Sequence, residues 1–150
     1  TIIKKMDKNR SSYMRNCNLT MSMKIRNSNK APLADYSATL YIIGEHIGNK
    51  GKVNVLHSFN EDVSIAAGKT LTSEKKNYNF SYYDYEYFSY YSSYCREYYS
   101  YLFILTDADG KQVLVKSPRS KLLKHAAKII KLKSAYDFLD LRKGLIIKQR

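Results

Sequence analysis

The sequence predicts a mainly β protein, an antiparallel β-sandwich followed by a C-terminal basic amphipathic helix. Three observations lead there. Several segments alternate apolar and polar residues with period two, turn residues punctuate them at short intervals, and no helical pattern falls between successive strands. With 150 residues and 44% hydrophobic content, the chain can build one domain with a true core but has little room for a second.

The first strand is read from Cys17. Cys17, Leu19, Met21, Met23 and Ile25 share one parity, and Asn18, Thr20, Ser22, Lys24 and Arg26 share the other, as in a strand with one buried face. Asn27 to Pro32 supplies turn residues. A second strand runs from Ala34 to Gly44 through Tyr36, Ala38, Leu40 and Ile42. Glu45 to Lys52 reads as a loop, Val53 to Phe59 as a third strand, and Val63-Ser64-Ile65 as its continuation before a turn at Gly68. Lys69 to Tyr85 reads as a long strand interrupted around Lys75-Lys76-Asn77. Tyr98 to Thr106 is an apolar run suited to a central strand, and Asp107-Ala108-Asp109-Gly110 turns it into Gln112 to Val115 as a hairpin.

Ser117-Pro118-Arg119-Ser120 ends the hairpin and offers Ser120 as an N-cap. From there to Lys133, Leu122, Leu123, Ala126, Ala127 and Ile130 fall at helical spacing, with Lys121, Lys124, Lys128 and Lys131 between them. Tyr136, Phe138, Leu139 and Leu141 form a second short helix or a docked segment. Gly144 breaks that pattern before an added strand at Leu145-Ile146-Ile147. The organisation expected is a sandwich over 1–118, with a Tyr-rich insertion near 83–94, and a helix and tail over 119–150 packed on it or extending from it.

The 26 Lys plus Arg outnumber the 13 Asp plus Glu, for a formal charge of +13. Such a surface attracts polyanions, whether nucleic acid, anionic lipid or acidic polysaccharide. No window approaches eighteen consecutive apolar residues, and Thr1 to Arg10 lack the apolar stretch of a signal peptide. With 15 Tyr and only 2 Pro, the composition is that of a folding chain rather than a disordered tail.

Two stretches carry a family resemblance. Leu19 to Ser28, followed by Ala38-Thr39-Leu40-Tyr41-Ile42-Ile43-Gly44, resembles the start of small immunoglobulin-like domains in bacterial envelope proteins, which are frequent in Verrucomicrobia. Leu102 to Lys111, followed by Ser117 to Leu123, is similar to their last hairpin and the segment after it. Related sandwiches occur in pilus-associated subunits. The resemblance covers about Leu19 to Leu123, and the Tyr-rich insertion departs from it. It implies an immunoglobulin-like fold and an extracytoplasmic setting, in the periplasm or at the cell surface, and carries over no catalytic residue.

If the five strands alternate in direction, Cys17 and Cys95 precede parallel strands at the same end of the sandwich. An intersheet disulfide and a pair of buried free thiols are then the two alternatives. Two cysteines alone form no zinc cluster. His46, His57 and His125 lack paired spacing and are read as surface or half-buried residues with no metal or catalytic role. Nucleophile-elbow, zinc-protease and P-loop patterns are absent. Asp107-Ala108-Asp109-Gly110 reads as a turn, because the remaining ligands of a calcium loop are missing. Asn18-Leu19-Thr20 and Asn79-Phe80-Ser81 match glycosylation sequons but sit within strands.

The candidate binding residues are Tyr83, Tyr85, Tyr87, Tyr90, Tyr91 and Tyr94, since exposed tyrosines join apolar area to a hydrogen-bonding tip. The opposing reading has alternating tyrosines filling a core. Lys121, Lys124, Lys128 and Lys131 form the candidate basic surface, set against a helix that simply packs over one end of the sandwich. The expectation is a non-enzymatic, cofactor-free module that contacts a protein or glycan partner at the cell envelope. An anionic surface and a homo-oligomer are further partner readings. The alternative class is a basic nucleic-acid-binding protein.

Overall fold

The computed structural model describes residues 2–8, 14–83, 96–132 and 137–148. In chain order the strands are β1 (Ile2–Lys8), β2 (Met14–Met21), β3 (Lys24–Arg26), β4 (Leu33–His46), β5 (Lys52–Ile65), β6 (Thr70–Thr72), β7 (Lys76–Tyr83), β8 (Arg96–Thr106) and β9 (Gln112–Lys116). Helices α1 (Ser120–Lys124) and α2 (Ala126–Ile129) and strands β10 (Asp137–Asp140) and β11 (Leu145–Lys148) follow. The protein is mainly β, and its sheets are antiparallel. One sheet has the order β11-β10-β5-β4-β8-β9, another β1-β2-β7, and β3 pairs with β6.

The six-stranded sheet is the middle layer, as the side-chain parity of β8 shows. Tyr101, Phe103 and Leu105 enter a core shared with Cys17, Leu19 and Met21 of β2 and with Tyr78, Phe80 and Tyr82 of β7. Leu102 and Ile104, on the opposite face, enter a second core with Leu122, Ala126 and Ile129 of the helices. The three-stranded sheet therefore covers one face and the helical segment the other. Each fully buried aliphatic side chain contributes about 1.5–3 kcal/mol.

Bulges retune that parity. Ile42 pairs with His57 but Ile43 with Val55, which leaves Leu56 as an extra residue on β5. Val53 and Val55 before the bulge face the helical core, whereas Phe59, Val63 and Ile65 beyond it face the other. Leu56 packs tightly over β4, where a β-carbon on Gly44 would lie 2.8 Å from its side chain.

The expected single strand from Cys17 to Ile25 is two strands. All five apolar members are buried as the alternation predicts, but the hydrogen-bonded ladder jumps from Met21↔Lys76 to Lys24↔Thr72. Two residues there face three, a bulge that splits the ribbon. Ser73 bridges it: its N–H donates to the Met23 carbonyl and its hydroxyl accepts the Met23 N–H, each at 2.8 Å. The weak point read at Lys75 to Asn77 thus lies beside this bulge, with β7 already begun at Lys76.

The turn after β3 is pinned by Asn27, only 1% exposed. Its Nδ2 donates to the carbonyls of Ala31 and Ile65, and its Oδ1 accepts the Asn29 N–H. β1 had no counterpart in the sequence reading, because Ile2-Ile3-Lys4-Lys5 does not alternate apolar with polar and its side chains are only half-buried or exposed.

The expected continuous helix from Ser120 to Lys133 is instead two short ones. His125 sits between them at φ −112°, ψ 16°, outside helical geometry. Arg119 rather than Ser120 occupies the N-cap position of the first helix, with no side-chain capping bond, and its guanidinium lies 4.9 Å from the Tyr99 ring centre. The buried stripe is Leu122, Ala126 and Ile129, while Leu123 and Ala127 are exposed. Of the short helix or docked segment expected over Tyr136, Phe138, Leu139 and Leu141, Tyr136 lies outside the described residues and the rest is docked without forming a helix. Phe138 and Leu139 lie in β10, which joins the main sheet beside β5 and brings β11 with it.

Candidate binding surface

The outer face of β1-β2-β7 follows directly from the inner one. Because Cys17, Leu19 and Met21 point into the core, Asn16 and Asn18 point to solvent and Thr20 is half-buried. The same logic turns Asn77, Asn79 and Ser81 of β7 outward. Register then sets these residues side by side: Asn16 opposite Ser81, Asn18 opposite Asn79, and Thr20 opposite Asn77. Lys5 of β1 extends the middle row beside Asn18.

Two cross-strand bonds order the array. The Ser81 hydroxyl donates to Asn16 Oδ1 at 2.7 Å, and the Thr20 hydroxyl donates to Asn77 Oδ1 at 2.8 Å. Both bonds occupy amide oxygens and leave the corresponding amide nitrogens as donors. A groove of about 500 Å³ runs over the array, lined by Lys5, Asn16, Asn18, Asn79 and Ser81 and, between them on the strands, by Cys17 and Phe80. Rows repeat at about 4.8 Å across the strands and about 6.8 Å along them. Such a face can exchange hydrogen bonds with a ligand that presents many hydroxyls or amides.

Both sequon asparagines, Asn18 and Asn79, lie in the middle row of this array as direct partners. The alternation of β2 carried the signal for half of it. The partner half needed the β2–β7 register, which no local pattern contains.

The tyrosines divide. Tyr78 and Tyr82 of β7 face the core, stacked on Phe80 with ring centres 5.5 and 6.0 Å apart, and His57 stacks on Tyr78 at 4.7 Å. Burial pushes the Tyr98 phenol up to about 12, with Tyr101 adding to the effect. For these residues the core-filling reading holds. Tyr83 ends β7, but its side chain lies outside the described residues, as do Tyr85, Tyr87, Tyr90, Tyr91 and Tyr94 entirely.

Cys17 is a buried free thiol, and burial pushes its pKa up while Lys4 opposes the shift. Cys95 lies outside the described residues. Lys121, Lys124, Lys128 and Lys131 are all exposed. They do not line one helix, because the break at His125 separates them, and Lys128 Nζ donates to the Gly144 carbonyl.

The histidines differ from one another. His46 is buried rather than surface or half-buried, at 5% exposure. His57 is exposed, and His125 is half-buried beneath the Gly144 turn. Among the described residues no group of three or more His, Cys, Asp or Glu could hold a metal ion. The segment from Asp107 is a turn: Asp107 Oδ1 accepts the N–H groups of Asp109 and Lys111 at 3.0 and 2.9 Å. Among the described residues no helix is long and apolar enough to cross a membrane. No protein-family model matches the chain, and no curated protein matches it.

Proposed function

We propose that the protein is a non-catalytic, immunoglobulin-like binding module of a bacterial envelope or surface assembly, with the outer face of β1-β2-β7 as its contact surface for glycan. The observation that carries this reading is the ordered amide and hydroxyl array around Asn18 and Asn79. Asn16, Thr20, Asn77 and Ser81 on either side of the central pair are short side chains held by cross-strand bonds, so they lose little conformational freedom on binding. A neutral array with one lysine suits a hydroxyl-rich ligand better than a polyanion, whose recognition rests on many cations. The immunoglobulin-like and extracytoplasmic parts of the proposal rest on the sequence resemblance, with which two packed antiparallel sheets are compatible.

Affinity electrophoresis through gels containing envelope polysaccharide tests this. Retardation of the native chain is expected, with loss in a Lys5→Ala, Asn18→Ala, Asn79→Ala variant that keeps its fold. The nucleic-acid reading predicts instead steeply salt-dependent binding to DNA or RNA, weakened by replacing Lys121, Lys124, Lys128 and Lys131. That result, with no retardation by polysaccharide, overturns the proposal.

A further inference from the structure

β9 ends the six-stranded sheet, and among the described residues no strand pairs with its outer edge. Its backbone N–H and C=O groups on that side form a template for another strand. Val113 is the bulged residue near the turn, since Leu105 pairs with Leu114 and Thr106 with Gln112, so Leu114 to Lys116 keep regular geometry. Beside this edge the core between the sheets opens into a groove of about 380 Å³. Met23 and Ile25 line it from the β3 side, and Phe103 and Leu114 line it from the main sheet. Leu114 is 37% exposed.

The charged residues lining the groove are of one sign. Lys24, Arg26 and Lys116 stand there, all exposed, and no carboxylate does. None of the three forms an ion pair with a described carboxylate. Free edge, apolar lining and cationic rim together fit one kind of occupant. We propose that β9 and this groove capture an extended peptide segment of a partner protein, added to the sheet as a further strand. Alternate positions of the peptide face the groove, apolar residues at the middle ones entering it and carboxylates at the outer ones of the same face meeting Lys24, Arg26 and Lys116. A second copy of the chain is disfavoured, because it would bring the same three cations to a site that already holds them.

The test uses the full chain and a labelled, end-capped heptapeptide of sequence Glu-Thr-Val-Thr-Val-Thr-Glu, whose valines and glutamates share one face of the strand, followed by fluorescence anisotropy. Saturable binding is expected, at least about tenfold tighter than for the same peptide with lysine in place of glutamate. N-methylation of one alternate set of peptide residues abolishes binding while the other set is tolerated, because only alternate amides face the sheet edge. Leu114→Asp and, separately, Lys24→Glu with Lys116→Glu each weaken binding about tenfold with unchanged thermal unfolding. No measurable binding, equal affinity for the lysine peptide, or indifference to both methylation patterns overturns the proposal. So does oleate binding that Leu114→Asp removes without any peptide binding, which makes the groove a lipid site, or a concentration-dependent dimer lost in the Lys24→Glu, Lys116→Glu variant.

Discussion

His46 on β4 and Arg96 on β8 are direct cross-strand partners, each 5% exposed, and both close on the ring of Phe138 from β10. The His46 ring meets Phe138 edge-on at 5.8 Å between centres, and the Arg96 guanidinium carbon lies 4.9 Å from the same ring centre. A second positive charge in this place is unfavourable. Burial lowers the His46 pKa below its ordinary 6.5, and Lys52 and Arg96 lower it further.

This arrangement predicts a histidine-linked loss of stability in mild acid. As pH falls through 6.5, His46 in the unfolded chain takes up a proton that the folded chain refuses. The unfolded state then binds more protons, and stability falls. Urea midpoints measured at pH 7.5 and 5.5 should differ more for the native chain than for His46→Gln. Equal differences for the two proteins would remove His46 from the account.

Gly44 gives a second prediction. A methyl group there meets the Leu56 side chain at 2.8 Å, so Gly44→Ala forces Leu56 or the bulge to move. Overpacking of this kind costs about 1–3 kcal/mol. Denaturant unfolding should show that loss, and Leu56→Ala combined with Gly44→Ala should be less destabilised than the sum of the two single variants.

The helical segment gives a third. Ile129 is fully buried in the core beneath the six-stranded sheet, so Ile129→Ala should cost about 2–5 kcal/mol by leaving a cavity. Lys121→Ala and Lys131→Ala, on exposed positions, should stay within about 0.5 kcal/mol. If the lysine variants unfolded as easily as Ile129→Ala, the segment would be held by charge rather than by packing.

Period and turn chemistry are local properties, and they made much of the fold legible. The parity of Cys17, Leu19, Met21, Met23 and Ile25 identified a buried face correctly even though the strand breaks within it. Gly68 and Gly110, both at positive φ, mark turns that the sequence places correctly, and the hairpin from β8 to β9 follows from Asp107 to Gly110. The helical stripe was misplaced. Leu123 and Ala127 look as apolar as Leu122 and Ile129, and only the sheet beneath decides which of them is covered.

The sequence by itself determined that the chain forms antiparallel strands with one buried and one polar face, because alternation is written within each segment. Only the tertiary structure decided which polar faces meet. Asn18 and Asn79 become neighbours through the β2–β7 register, and His46 and Arg96 through the β4–β8 register. The groove at β9 likewise needs Met23 and Ile25 to stand opposite Phe103 and Leu114. These juxtapositions depend on hydrogen-bonded registers and bulges between segments distant along the chain. Each is selected by the packing of two whole faces at once, because shifting one strand by a single residue would turn its buried side chains to solvent.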